Sequence, residues 1–251
     1  MNAPAPVRLD CAGCRNKLDF DFTMAFQPIL DLADSRVFAH EALVRGMDGE
    51  GAAAVLGRVN ADNRFAFDQL CRVKAVEMAA SLGLPGRVSI NFMPNSVYEP
   101  AFCLRTTLDA ARRTGMPVDR IILEVTEGEQ VLDPAHLRNI LRTYKSSGLV
   151  TAIDDFGAGY SGLNLLADYQ PDIIKLDMAL TRNIHLDRAR RAIVGAVVQV
   201  CHALSITPIA EGVETEDELR ALRNLGLTLM QGYLFARPRI GAMPDIRWPA
   251  A

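Results

Sequence analysis

Four short apolar runs in this chain end in carboxylates: IILEVTE at 121–127, TAIDDFG at 151–157, IIKLD at 173–177 and ITPIAEGVE at 206–214. Each is rich in β-branched residues and is followed by turn residues or a helical pattern, which is how a buried parallel strand reads when its C-terminal end carries chemistry. A carboxylate at the edge of an apolar strand is costly unless something compensates it. Glu124, Glu127, Asp154, Asp155, Asp177, Glu211 and Glu214 therefore read together as one site built to hold divalent cations.

The same pattern extends along the chain. Strand-like segments at 22–31, 37–45, 87–93, 120–127, 149–157, 172–178, 206–213 and 229–236 make eight candidate strands in 251 residues. The first two are separated only by LADSR, too short for a parallel crossover, which needs about a dozen residues. They are expected to be antiparallel, and the remaining gaps hold helical patterns. About 250 residues is the usual size of one (β/α)8 barrel. The expected fold is thus a TIM-like (β/α)8 barrel with an antiparallel first strand, in which residues 1–21 are an N-terminal tail and 22–251 the domain.

Three helices carry clear signals. Over 187–204, Ile193, Val197, Cys201 and Leu204 fall on one face. Thr215 and Glu218 form a capping box, with Gly226 where that helix should end. Asp133-Pro134 opens a third, with Pro at the first helical position.

Composition narrows the partners. The chain is 49% hydrophobic and 23% charged, which allows a large core, and its net charge of −3 comes with no basic stretch. Duplex DNA is therefore not an expected partner, whereas a small anion remains compatible, because bound cations reverse the local field. No run of about 18 apolar residues is present, so no membrane span is expected. The opening MNAPAPVRLD lacks the apolar core of a signal peptide, and a cytoplasmic location is expected. Five cysteines read as reduced thiols. Cys11 and Cys14 form a CxxC without the second pair that a zinc site needs and without the strand–helix context of a redox pair. Cys71, Cys103 and Cys201 lie in helical patterns and read as buried small hydrophobes.

In such a barrel the C-terminal strand ends form the active face. Glu41, Asn91, Glu124, Asp154, Asp155, Lys175, Glu211 and Gln231 fall there from seven strands. Oxygen donors in this number suit hard cations such as Mg²⁺ or Mn²⁺. Adjacent residues alternate across a strand, so Asp154 and Asp155 can share a site only past the strand end, at the Phe156-Gly157 turn. A carboxylate bridging two ions about 3.5–4 Å apart is the arrangement of a two-metal phosphodiesterase. Lys175 could instead, or as well, be a salt-bridge partner for Asp177 or a neighbouring acid. His40, next to Glu41, should point away from the site by alternation, and His202 reads as helix packing.

Glu41-Ala42-Leu43-Val44-Arg45 resembles the signature of the EAL family of cyclic di-GMP phosphodiesterases. Phe-Gln-Pro at 26–28, Ser-Ile-Asn at 89–91, Glu-Val-Thr-Glu at 124–127, the 154–161 segment, Lys-Leu-Asp at 175–177, Ala-Glu-Gly-Val-Glu at 210–214 and the 231–238 segment are similar to further motifs of that family, in its order. Ala158 stands where members often have Thr, and NADNRFAF at 60–67 departs from the common wording.

The resemblance implies two Mg²⁺ or Mn²⁺ ions. Glu41, Asn91, Glu124 and Asp154 would hold one, and Asp154, Asp155 and Glu211 the other. Lys175 would orient or help deprotonate the attacking water, and Gln231 would touch that water or the surroundings of the second ion. Glu127 would brace the loop after Asp155 and couple it to a homodimer interface. Gln27, Leu43 and Arg45 would contact substrate, Arg45 as a two-pronged phosphate clamp, with Arg237 and Pro238 also on the ligand side. Asp68 would lie near a guanine, and Asp177 and Glu214 would orient the ligands or Lys175. Calcium is expected to inhibit, since it takes more ligands at longer distances. The implied reaction is hydrolysis of cyclic di-GMP to linear pGpG, with a regulatory protein as a further partner.

Two other readings are a cyclic di-GMP receptor or partner-binding module without turnover, and a carboxylate–lysine barrel enzyme that abstracts a proton beside Mg²⁺. The intact ligand set argues against the first. Adjacent Asp154 and Asp155, with the opening antiparallel pair, argue against the second.

Overall fold

The first two strands form the expected antiparallel pair. β1 (Thr23–Asp31) runs against β2 (Arg36–Arg45), with Gln27 opposite Glu41. The structure is a computed structural model that describes residues 18–126, 133–159 and 162–249. Cys11, Cys14, Glu127, Tyr160 and Ser161 lie outside the described residues.

From β2 onward the chain winds as a barrel. Helices α1 (Ala52–Leu56) and α2 (Arg64–Ser81) lead to β3 (Arg87–Asn91). Then α3 (Pro100–Cys103) and α4 (Arg105–Thr114) precede β4 (Ile121–Thr126), and α5 (Pro134–Ser146) precedes β5 (Val150–Phe156). Next come α6 (Gly162–Asp168), β6 (Ile173–Leu176), α7 (Met178–Thr181), α8 (Arg188–Ala203), β7 (Thr207–Ala210), α9 (Glu216–Asn224) and β8 (Leu229–Met230). Strands β2 to β8 pair in parallel, and β1 closes the barrel by pairing antiparallel with both β2 and β8.

Strand alternation sorts the apolar residues into two cores. Ile29, Ala39, Ile122, Ala152, Ile173, Ile209 and Leu229 plug the barrel interior. On every parallel strand but β3 the plug residue sits two positions before a polar site residue, as in Ile122 and Glu124 or Ile173 and Lys175. On the reversed β1 it sits two after Gln27. The period of two thus stacks a polar layer directly on an apolar floor. The opposite face of the strands, with Phe26, Ile90, Leu123, Ile153, Ile174 and Met230, joins the helices in the larger core.

The cap signals are realised. Asp133 accepts from the backbone N–H groups of Ala135 and His136 at the start of α5. Thr215 and Glu218 make a reciprocal box at α9, and Gly226 takes a positive φ of 89° after its end. Cys71, Cys103 and Cys201 are free and buried.

Several expectations are corrected. The buried face of α8 is Val194, Val197, Val198 and Cys201, while Ile193 is 49% and Leu204 40% exposed. The helix carries apolar residues on most sides, so periodicity fitted a face rotated from the buried one. His202 is exposed in its last turn rather than packed. The last two predicted strands are short: Glu211 and Gln231 follow β7 and β8, and residues 232–236 turn back with Phe235 and Ala236 both donating to the Gly232 carbonyl. A ninth strand, β9 (Arg239–Ile240), pairs with β1 at Ala25 and Phe26.

Candidate active site

Every strand of the barrel contributes one inward side chain to the layer above the apolar plug. They are Gln27, Glu41, Ser89, Glu124, Asp154 and Lys175 from β1 to β6, with Glu211 and Gln231 just after β7 and β8. Glu124 and Lys175 are wholly buried, and Glu41, Asp154, Gln27 and Gln231 nearly so.

Lys175 stands at the centre. Its Nζ lies 2.8 Å from Glu211 Oε1, 2.9 Å from Asp154 Oδ1, 3.3 Å from Glu124 Oε2 and 3.7 Å from Glu41 Oε1. It makes no ion pair with Asp177, which instead caps α7 by accepting from Ala179 N–H at 2.8 Å. Burial alone would depress the Lys175 ammonium, but Asp154, Glu124, Glu211 and Glu41 outweigh it and hold its proton well above the usual lysine range. The carboxyls move the same way. Burial pushes Glu124 up to about 8 against the pull of Lys175, with Asp154 and Glu41 adding to the rise. Burial likewise raises Glu211 well above the carboxylate range. Burial, then Asp154 and Asp177, lift Asp155 to about 6. One ammonium can keep its own proton among these carboxylates, yet it cannot keep all of them ionised.

The carboxylates form two triads with oxygens within 4.8 Å of one another: Glu41, Glu124 and Asp154, and Asp154, Asp155 and Glu211. Asp154 belongs to both. These five carboxylates and one ammonium leave a formal charge of −4, which two divalent cations would balance. The donors are oxygens, so hard cations of the Mg²⁺ or Mn²⁺ type fit the site.

The backbone brings Asp154 and Asp155 together in an unexpected way. The strand does not end before them. The register of β5 against β6 shifts between Ile153 and Phe156, and Asp155 adopts a left-handed φ of 54°. This bulge breaks the alternation within the strand, and Asp155 N–H donates to Asp154 Oδ1 at 2.9 Å. Aspartate is among the few side chains that tolerate this conformation.

Amides and hydroxyls fix the carboxylates. Gln231 Nε2 donates to Glu41 Oε2 at 2.6 Å and to Gln27 Oε1 at 3.1 Å, and Gln27 Nε2 donates to the Ala236 carbonyl at 3.1 Å. Asn91 Nδ2 donates to Glu124 Oε1 at 3.0 Å and to Glu41 Oε1 at 3.4 Å. A ligand role for Asn91 requires its amide to turn and present oxygen. Two contributors have no role in the sequence reading. Ser89 Oγ donates to Glu124 Oε2 at 2.6 Å, and Thr181 Oγ1 donates to the Glu211 carbonyl at 2.5 Å. Ser89 was legible in principle, lying two before Asn91 and so on the same strand face.

A cavity of about 270 Å³ opens over this layer, with Gln27, Leu43, Asp177, Met178, Glu214 and Tyr233 in its wall. A second, mainly apolar cavity of about 260 Å³ adjoins it through Leu43, between β2, β3 and α2, lined by Val44, Phe67, Phe92 and Met93 among others. Not every expected ligand contact is poised for one. Arg45 donates back to the Val44 carbonyl at 2.7 Å. Asp68, in the wall of the second cavity, is almost wholly buried. Its oxygens accept from Arg72 at 2.7 Å and from Met93 N–H at 2.8 Å. Glu214 is paired with Arg182 at 2.6 Å. Arg237 lies over the Tyr233 ring, 4.2 Å from its centroid, and Pro238 is half-buried beside it in sequence. His40 points outward as expected, with Nδ1 3.1 Å from the Pro85 carbonyl. Among the described residues, no helix is long and apolar enough to cross a membrane.

A family model of the EAL domain matches residues 14–238. The blue light- and temperature-regulated antirepressor BluF of Escherichia coli is 32% identical over 226 residues, which are 90% of this chain and 56% of BluF. Other curated relatives are named cyclic di-GMP phosphodiesterases, and the chain spans 29% and 38% of the length of two of them. Among solved structures, a standalone versatile EAL protein from Vibrio cholerae O395 in its c-di-GMP-bound form is 52% identical. It aligns with 92% of this chain and 98% of its own at a TM-score of 0.89. Klebsiella pneumoniae BlrP1, as a manganese and cyclic di-GMP complex, is 38% identical over 92% of this chain and 59% of its own, with a TM-score of 0.87.

Proposed function

We propose that this chain, which belongs to the EAL domain family, is a metal-dependent phosphodiesterase that opens cyclic di-GMP to linear pGpG. The observation that carries this reading is Asp154, shared by two carboxylate triads with Lys175 Nζ 2.9 Å away. Glu41, Glu124 and Asp154, with Asn91 once its amide is turned, would hold one cation, and Asp154, Asp155 and Glu211 the other. Bound there, two Mg²⁺ or Mn²⁺ ions would ease deprotonation of a water and offset charge on the phosphate.

The chain's own groups do the rest. Lys175 keeps a proton on Nζ between Asp154 and Glu211 and orients the attacking water. Gln231 and Gln27 hold Glu41 in place. Arg45, at the end of the strand that carries Glu41, swings from the Val44 carbonyl to a phosphate oxygen. The apolar cavity beside Leu43 takes one guanine, and the Arg237-backed Tyr233 ring is placed to stack the other. The water oxygen bonds to phosphorus, the bond to the 3′ oxygen breaks, and that oxygen takes up a proton. Calcium would occupy the cage without supporting this geometry. The chain is also proposed to pair with a second copy near the segment after Asp155, through Glu127, and to answer to a regulatory protein partner.

A second reading, a cyclic di-GMP receptor or partner-binding module without turnover, draws support from the likeness to an antirepressor. Incubation of the purified chain with cyclic di-GMP and Mn²⁺, with chelator as control, separates the two. Metal-dependent pGpG on chromatography supports the phosphodiesterase. Nucleotide binding with no product would leave the receptor.

A further inference from the structure

The buried carboxylate of Glu124 accepts hydrogen bonds from two neighbours and is ion-paired with a third. Asn91 Nδ2 serves Oε1, while Ser89 Oγ at 2.6 Å and the more distant Lys175 Nζ at 3.3 Å face Oε2. Two of the three have other work in the proposed reaction: Asn91 must turn its amide to offer oxygen, and Lys175 must face the water. Ser89 has none. It is 1% exposed, sits in the polar layer, and lines neither of the two cavities beside it.

We propose that Ser89 is a positioning residue for cation binding: its hydroxyl holds Glu124 Oε2 and so keeps Oε1 turned toward Glu41 and the shared triad. A carboxylate side chain has a soft terminal torsion, and a metal ligand held in one orientation binds without first losing that freedom. Hydrogen-bond partners of ligating groups commonly carry part of the affinity in this way. The inference rests on the reading of the layer as a cation site, and it adds the residue that presets the first triad.

The test is Mn²⁺ binding by the metal-free full chain, followed from the electron paramagnetic resonance signal of free Mn²⁺. Ser89→Ala should weaken the tighter binding step about tenfold. Ser89→Cys, close in size and a poorer donor, should fall between Ala and wild type, and it carries the test if the Ala variant does not fold. In a Glu124→Gln background, Ser89→Ala should add little, because its effect acts through Glu124. Wild-type affinity in both Ser89 variants would overturn the proposal while leaving the cation site standing. An equal loss with and without Glu124 would also overturn it, since Ser89 would then act through packing. Absence of Mn²⁺ binding by the wild type would overturn the cation reading and the proposal together.

Discussion

Replacing Lys175 with Met fills similar volume and removes one charge, so the consequence reports electrostatics rather than a cavity. The Nζ lies within 3.7 Å of four carboxylates and is wholly buried. Removing one partner of a buried ion pair costs about 3–5 kcal/mol. In a domain of this size that corresponds to roughly 6–20 °C in melting temperature. Metal-free Lys175→Met at pH 8 should therefore melt well below wild type. The deficit should shrink when Mn²⁺ is added, because divalent cations supply the positive charge that the ammonium did. Turnover should stay more than tenfold down, a loss above about 1.4 kcal/mol, even with the site loaded. Differential scanning calorimetry with and without Mn²⁺, beside product assays on the same samples, reads all three. A metal-free variant melting within about 2 °C of wild type would correspond to less than about 1 kcal/mol. It would refute the claim that Lys175 compensates this layer.

Three further outcomes follow from particular residues. Burial lowers His40 from 6.5 to about 4, so the unfolded chain takes up the proton first and stability falls as pH drops through this window. Between pH 7 and 5 the His40 contribution to this loss should be about 2 kcal/mol, read in urea denaturation as the difference in pH slope between wild type and His40→Gln, since the raised carboxyls of the site shift both proteins alike. Asp155→Asn keeps a residue that tolerates its left-handed φ, so it should lose turnover without losing stability, whereas Asp155→Val should cost a further 1–2 kcal/mol or so; equal stability of the two would count against the bulge. An added Cβ at Gly232 would run into the backbone carbonyl oxygen and amide nitrogen of Val213. Gly232→Ala should therefore destabilise by about 3 kcal/mol, and an unchanged urea midpoint would contradict that close approach.

Much of this architecture was legible because its causes are local. Short apolar runs ending in Glu or Asp mark strands whose far ends face a site, and the five-residue gap between the first two forces them antiparallel. Thr215 with Glu218 and Asp133 with Pro134 mark helix starts through side-chain chemistry alone. What escaped depends on contacts across the chain. The bulge that turns Asp154 and Asp155 into one site leaves no mark in Ile-Asp-Asp-Phe. Ser89 reads as a neutral strand residue until Glu124, 35 positions on, is seen to accept from it. Asp68 and Arg72 show an i, i+4 spacing in the sequence, yet nothing there says that the pair is buried. The face of α8 was ambiguous because Ile193 and Val194 both suit a core, and only the packed barrel chooses Val194.

The most direct test of the reaction is to run it in H₂¹⁸O with cyclic di-GMP and Mn²⁺ and to weigh the product. Attack by one water at one phosphodiester predicts pGpG carrying a single ¹⁸O on its terminal phosphate, formed by the wild type and absent with Glu41→Gln. Unlabelled product, label without dependence on Glu41, or cyclic di-GMP recovered intact would contradict hydrolysis at this site.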